Sequence, residues 1–211
     1  MALRRIVWLL LLAVVWPVQA GDMGHELTEA RAVFLRGVDG DKRAVRDAVQ
    51  RFKSLSRAHA EEPVFQAYLG AAMTLQGRDA PNNIEKGRIT EEGLGVLDRA
   101  LEMQMAKPDP GSVHTLDTML VAANTCIHLP AFFNRYQQGR ELLQKILAHP
   151  DFEGMEPGYK AAVYVAQALV SHGDADDESY RRYLELTVST DPEGRDGQYA
   201  GKRLQELGDV E

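Results

Sequence analysis

The sequence is poor in cysteine. Cys126 is the only one in 211 residues, so no intramolecular disulfide can form and packing must stabilise the fold. Cys126 lies in the apolar run LVAANTCIHLP, where a buried and unreactive thiol is the expected state. The single cysteine therefore excludes the class of exported proteins that are stapled by disulfides.

Basic residues are outnumbered. The chain has 24 Lys and Arg against 31 Asp and Glu, a net charge of −7. Without Arg4 and Arg5 the balance is 22 against 31, or −9. Nucleic-acid binding and adsorption to an anionic membrane both require clustered cations, so we predict no nucleic-acid partner and interpret the negative charge as a source of solubility.

Motifs of the common enzyme classes are missing. The chain has no GxSxG nucleophile turn, no phosphate-binding Walker loop, no dinucleotide-binding glycine motif and no HExxH zinc motif. Its histidines are scattered, and no two have the helical spacing of metal ligands. We predict that the protein is not an enzyme and holds no metal or other cofactor. The alternative is a hydrolase whose paired carboxylates come together only in the folded chain.

The one long hydrophobic run lies at the N-terminus. Arg4 and Arg5 precede the apolar stretch Ile6–Trp16, and Val18-Gln19-Ala20 then offers small residues where signal peptidase reads them. A membrane anchor would need more length, because such a helix rises only about 16 Å against a bilayer core of roughly 30 Å. We predict that residues 1–20 are a signal peptide cleaved after Ala20, leaving a periplasmic or secreted protein without stable membrane insertion.

The chain does contain a recurring amphipathic helix. Between Asp41 and Pro63, apolar side chains recur at three- and four-residue steps with charged residues between them, the pattern of a helix with one buried face. Asp39 or Asp41 is suited to cap the first turn, and Pro63 follows the end of the helix.

The core positions of this helix follow a sequence rule, and the same rule recurs three more times along the chain. A small residue is followed by a large apolar residue four positions on, an apolar residue three further on, and then proline. A small residue lets a neighbouring backbone approach closely, and the large one fills the space between helices. The copies are Ala48, Phe52, Leu55, Pro63; Gly93, Leu97, Ala100, Pro108; Gly139, Leu143, Ile146, Pro150; and, more loosely, Tyr180, Leu184, Thr187, Pro192. Each follows a candidate partner helix: Glu26–Arg36, Val64–Gln76, Ser112–His128 and Gly158–Val170.

Repeated helix pairs resemble the tetratricopeptide repeat family. Tyr68-Leu69-Gly70 with Gly77 matches the family's first helix, and the small–large–apolar–Pro rule matches its second helix. The copies are 45, 46 and 41 residues apart, whereas the family repeats about every 34. The first-helix tryptophan of the family is missing, and an irregular α-helical bundle is the alternative.

The resemblance implies an all-α fold of helical-hairpin repeats, an α-solenoid of about four helix pairs. The predicted organisation is a signal peptide (1–20), a short tail (21–25), the repeat domain (26–207) and a C-terminal tail (208–211). A last helix near Gln198–Leu207 would cap the stack.

Stacked helical hairpins form a groove that takes a peptide or a partner helix. We therefore predict a scaffold that binds a protein or peptide of the cell envelope. Aromatic side chains beside an arginine and an amide are typical interface anchors, and the predicted partner-binding residues are Phe132, Phe133, Asn134, Arg135 and Tyr136. The alternative to a binding role is that Phe132 or Phe133 only fills the join between two helices. A second function, binding of a small molecule between Val64–Gln76 and Ser112–His128, is also compatible with the sequence.

Overall fold

Helices account for the regular structure of this chain. The computed structural model describes residues 20–107 and 113–208, and within these ranges it contains nine α-helices, two short 3-10 turns and no strand. The prediction of an all-α fold is confirmed. The helices are α1 Ala20–Val38, α2 Lys42–Ala58, α3 Pro63–Arg78, α4 Asn83–Met105, α5 Val113–His128, α6 Tyr136–Leu147, α7 Pro157–Gly173, α8 Asp177–Thr190 and α9 Arg195–Gly208; the turns are Ala131–Phe133 and Phe152–Gly154.

Helix starts follow local capping chemistry. The Asp41 side chain accepts hydrogen bonds from the backbone N–H groups of Arg43 and Ala44, so Asp41 and not Asp39 is the cap of α2. These bonds stabilise the carboxylate and lower the pKa of Asp41. Asn82 caps α4 and Asp176 caps α8 in the same way. The acidic run around Asp176 is therefore a helix start.

Some boundaries differ from the prediction. Helix α1 begins at Ala20, six residues before the predicted start at Glu26, so residues 21–25 are helical and not a separate tail. Helix α4 runs unbroken from Asn83 to Met105 through Gly87, Gly93 and Gly95, although each glycine costs helix stability relative to alanine. Pro63 opens α3 as its first residue, where its missing N–H costs nothing. Residues 1–19 and 209–211 and Pro108 lie outside the described residues.

The contacts between helices divide the helices into two layers. Every helix packs on the next one in sequence, and α1–α3, α3–α5, α5–α7 and α7–α9 also contact one another. The odd-numbered helices thus form a continuous layer, and the even-numbered helices pack against it. One apolar core runs from α1 to α7, and a smaller one joins α7, α8 and α9.

The recurring positions of the sequence rule lie inside this arrangement. All three core positions of the second, third and fourth copies are buried, as are Ala48 and Phe52 of the first, whereas Leu55 is half-buried. The small residues do permit close approach. A methyl group at Gly93 would lie 2.8 Å from the carbonyl oxygen of Gly70, and one at Gly139 would lie 3.0 Å from the carbonyl oxygen of Ala123.

The two ends of the layer approach each other. Arg195 at the start of α9 pairs with Asp39 in the turn between α1 and α2, at 2.5 Å. Arg78 at the end of α3 donates to the carbonyl oxygens of Gly37 and Val38 and so covers the end of α1. The turn after α1 and the start of α9 therefore lie close together.

Candidate functional site

The predicted partner-binding residues lie between α5 and α6. Phe132 and Phe133 are in the 3-10 turn Ala131–Phe133, with their ring centroids 4.3 Å apart. Phe133 packs partly against the main core, whereas Phe132 leaves 77% of its surface exposed. Phe133 therefore fills the join between helices, and Phe132 projects from it.

The two residues after the aromatic pair hold the turn rigid. Asn134 adopts the left-handed conformation at φ 55°, which asparagine tolerates better than most residues. Both terminal nitrogens of Arg135 donate hydrogen bonds to the carboxylate of Asp98 in α4, each at 2.8 Å. One of these nitrogens also donates a hydrogen bond to the side-chain oxygen of Gln138 at 2.8 Å. The hydrogen bonds to Asp98 raise the pKa of Arg135. A two-point arginine–carboxylate pair fixes orientation, so Arg135 anchors the turn to α4.

Tyr136 has a structural contact of its own. Its hydroxyl donates to the carbonyl oxygen of Val170 in α7 at 3.1 Å, and a methyl group at Gly173 would lie 2.7 Å from the Tyr136 hydroxyl oxygen. Tyr136 thus joins α6 to α7. Of the five predicted residues, Arg135 and Tyr136 are engaged inside the protein, and Phe132 is the large apolar side chain that stays available. The assignment of the five as a binding surface stays a prediction.

A polar cluster that the sequence analysis missed lies within the odd-numbered layer. It consists of Arg31 on α1, Tyr68 on α3, Asp117 on α5 and Tyr159 on α7, and we call these four residues the central cluster. Arg31 pairs with Asp117, and the Tyr68 hydroxyl hydrogen-bonds the Asp117 carboxylate. Tyr159 donates to the carbonyl oxygen of Leu116 at 2.6 Å. Polar contacts therefore join four helices of the odd-numbered layer that are distant in sequence.

Burial controls the chemistry of the central cluster. The Asp117 side chain is 8% exposed and that of Arg31 is 38% exposed. Burial raises the pKa of Asp117, with Arg31 and His114 acting in the opposite direction. Burial also raises the pKa of both Tyr68 and Tyr159, and the charge of Asp117 adds to each shift. Both phenols therefore stay protonated and act as hydrogen-bond donors.

Two buried nitrogens near this cluster have no hydrogen-bond partner among residues 20–107 and 113–208. They are Nε of Arg31 and Nδ1 of His114. An unpartnered buried donor or acceptor costs free energy. Asp117 is the residue whose sequence context could have indicated the cluster, because it is the one acidic residue in the apolar helix VHTLDTMLVAANTCIH. Its partners were not visible, since Arg31 lies 86 positions away.

Cys126 is buried, and burial raises the pKa of its thiol to about 11, so the nucleophilic thiolate is disfavoured. Among the residues that the structure describes, no three His, Cys, Asp or Glu side chains gather as metal ligands would. No helix in the same part of the chain combines the length and apolar character that a bilayer crossing demands.

A shallow cleft of about 210 Å³ opens on another face, between α2, the end of α3 and the start of α4. Val45, Pro81 and Ile89 give it an apolar lining, and charged side chains line the rest of it. Ligand sites for metabolites and cofactors usually span about 300–1,000 Å³. The cleft is therefore sized for one side chain of a partner. Its lining is Lys42, Val45, Arg46, Gln76, Asp79, Ala80, Pro81, Glu85 and Ile89.

The chain matches no family model, no curated protein and no solved structure at a significant level. The case for its function therefore rests on its own residues and contacts.

Proposed function

We propose that the protein is an exported, tetratricopeptide-like scaffold that binds a protein or peptide partner of the cell envelope. The architecture is supported by the contact order, in which odd-numbered helices pack in series and each even-numbered helix packs on its neighbours. It is also supported by the burial of the recurring sequence positions and by the contact of Gly70 with Gly93. A stack of such pairs offers long surfaces on which a partner can dock.

The observation that carries the binding function is the exposure of Phe132 on a rigid turn. An aromatic side chain that is 77% exposed loses favourable burial unless a partner covers it. The bonds of Arg135 to Asp98 fix the backbone behind it, so binding would cost little additional ordering. Exposed aromatic residues held in this way are frequent hot spots of interfaces.

The central cluster bears on where the partner docks. Arg31 and Asp117 bridge α1 and α5 across Tyr68. Side chains of the protein itself therefore already occupy the space between these helices. Tyr68 and Asp117 meet between α3 and α5, where the alternative small-molecule pocket was expected. A docking surface at the turn of Phe132 fits these contacts better than a groove or a pocket at the central cluster.

Site-specific photo-crosslinking tests the contact surface. With a benzophenone amino acid in place of Phe132, we expect a discrete crosslinked product in cells that export the protein. The matched control has the same amino acid in place of Met105, which is equally exposed at 77% but is the last residue of α4. Phe132→Ser should weaken capture of that partner by tenfold or more, about 1.4 kcal/mol.

Two results would contradict the assignment. One is equal crosslinking at positions 132 and 105, which would mean non-specific adhesion of exposed apolar groups. The other is a partner that Phe132→Ser captures as well as the natural protein does.

Export predicts a particular N-terminus. Residues 1–20 have the charged, apolar and small-residue segments of a signal peptide in the required order. N-terminal sequencing of the exported protein should begin at Gly21, one residue after the start of α1 at Ala20. Soluble cytosolic protein that still begins at Met1 would contradict export.

A further inference from the structure

Helix α2 has a charge opposite to that of the chain. It contains six Lys and Arg residues and one acidic residue, Asp47, and so has a net charge of +5. The whole chain has a net charge of −7, and the residues outside α2 therefore carry −12. The net charge of the whole chain therefore does not show that positive charge is concentrated on α2.

Four of the six cations lie along one line. With 100° of rotation per residue, Lys42, Arg46, Lys53 and Arg57 fall within about 60° of the helix circumference. All four are exposed, and they span about 22 Å of helix axis. The buried residues of α2, such as Ala48 and Phe52, lie on the opposite side. We call these four residues the basic stripe.

The basic stripe is not neutralised by the protein. Within the described part of the chain, none of the four residues forms an ion pair. The nearby carboxylates have other roles or positions. Asp41 caps its own helix, Asp47 lies more than 90° around α2 from the middle of the stripe, and Asp79 pairs with Arg78. Glu85 stands across the cleft from the stripe.

The apolar cleft adjoins one end of this stripe. Lys42 and Arg46, the first two cations, also line the cleft, and Val45 between them forms part of its apolar lining. Pro81 and Ile89 complete the apolar surface on the side of α4. A row of cations therefore ends at a concavity that accepts one apolar side chain.

We propose that the basic stripe and the cleft together bind a protein segment with a row of carboxylates and an apolar anchor residue at one end. The carboxylates pair with the stripe along its length, and the anchor enters the cleft beside Val45. This surface is separate from the turn of Phe132, so the proposal does not depend on the function proposed above.

A short acidic segment fits this surface better than a larger polyanion. The Debye length in physiological salt is about 8 Å, and a segment confined to the stripe stays near the cations. An anionic bilayer or a nucleic acid extends beyond the stripe and meets the −12 charge of the remaining chain. The concave cleft also suits a protruding side chain, whereas a bilayer would require protruding apolar groups on the protein.

A designed peptide tests the proposal. The probe is a labelled helical peptide of about 20 residues with glutamates at the i, i+4, i+11, i+15 spacing of the stripe and a leucine beyond one end. Fluorescence anisotropy with the full exported chain should show at least fivefold tighter binding than a scrambled peptide of equal composition. Raising NaCl from about 0.05 M to about 0.5 M should weaken binding at least tenfold, because screening shortens the reach of the charges.

Charge reversal at two neighbouring positions supplies a matched control. Lys53→Glu changes the stripe and should weaken peptide binding about five- to tenfold. Arg51→Glu makes the same charge change two residues away, on the other side of the exposed surface of α2, and should change binding less than twofold. Replacing the leucine of the peptide with glutamine should also cost about fivefold if the cleft holds it. Phe132→Ser should leave peptide binding unchanged.

Several outcomes would overturn the proposal. Equal binding of the designed and scrambled peptides, or equal losses for Lys53→Glu and Arg51→Glu, would leave only a diffuse charge effect. Tighter binding to phosphatidylglycerol vesicles or duplex DNA that Lys53→Glu abolishes would assign the stripe to another polyanion. A salt-sensitive dimer that Lys53→Glu dissociates would assign it to a second copy of the chain. Circular dichroism checks folding, and Lys53→Gln replaces the reversal if folding is impaired.

Discussion

Gly93→Ala is expected to lower the free energy of unfolding by about 1–3 kcal/mol, although alanine is the better helix former. The new methyl group would lie 2.8 Å from the carbonyl oxygen of Gly70, 2.9 Å from Cβ of Met73 and 3.0 Å from the backbone nitrogen of Thr74. Two of these atoms belong to the backbone of α3 and cannot move as a side chain does. Helices α3 and α4 would have to separate along their crossing, which loosens the centre of the core.

The same helix contains the control. A methyl group at Gly87 meets no atom within 4 Å, so Gly87→Ala should raise the free energy of unfolding by about 0.5–1 kcal/mol. Chemical denaturation followed by circular dichroism measures both changes. Gly70→Ala strains the same crossing, and combining it with Gly93→Ala should cost less than the sum of the two, because one separation relieves both. Stabilisation by Gly93→Ala would rule out the close crossing.

Asp117→Ala is expected to destabilise the protein by about 2–4 kcal/mol. The substitution removes the acceptor of Arg31 and of the buried Tyr68 hydroxyl, and removing one member of a buried ion pair typically costs about 3–5 kcal/mol. The partial exposure of Arg31 reduces this cost, because water can solvate part of its guanidinium. Asp117→Asn keeps an acceptor oxygen in the same place and should stay within about 1 kcal/mol of the natural protein.

The pH dependence of the free energy of unfolding tests whether burial perturbs the Asp117 carboxyl group. Burial holds the pKa of Asp117 above its ordinary value of 3.8 in the folded protein. Between that value and its folded pKa, the folded state binds more protons than the unfolded state, so the contribution of Asp117 to stability falls as pH rises. The stability difference between the natural protein and Asp117→Asn should therefore shift in favour of Asn above about pH 4. A constant difference across this range would show that burial does not perturb Asp117.

Much of the helical framework could be predicted from the sequence because its causes are local. The three- and four-residue spacing of apolar residues identified α2, and two candidate caps, Asp39 and Asp41, marked its start, of which Asp41 is the cap. The small–large–apolar rule selected positions that are nearly all buried in α2, α4, α6 and α8. The start of α1 was missed, since no cap or change of pattern marks Ala20.

The candidate surfaces were predicted less completely, because each depends on what faces a side chain from another helix. The sequence identified the turn around Phe132 as a candidate surface, but it gave no sign that Asp98 in α4 engages Arg135. The spacing of Lys42, Arg46, Lys53 and Arg57 was present in the sequence. Only the folded arrangement shows that no carboxylate of the described chain pairs with them and that a cleft lies at one end.

By itself, the sequence determined where helices form and which face of each is apolar, because backbone hydrogen bonding, capping and side-chain periodicity act over a few residues. The tertiary structure alone decided which distant residues meet. Arg31 and Asp117 are 86 positions apart, and their pairing follows from the packing of α1 on α3 and of α3 on α5. That packing depends on many side chains together, so no short stretch of sequence contains it.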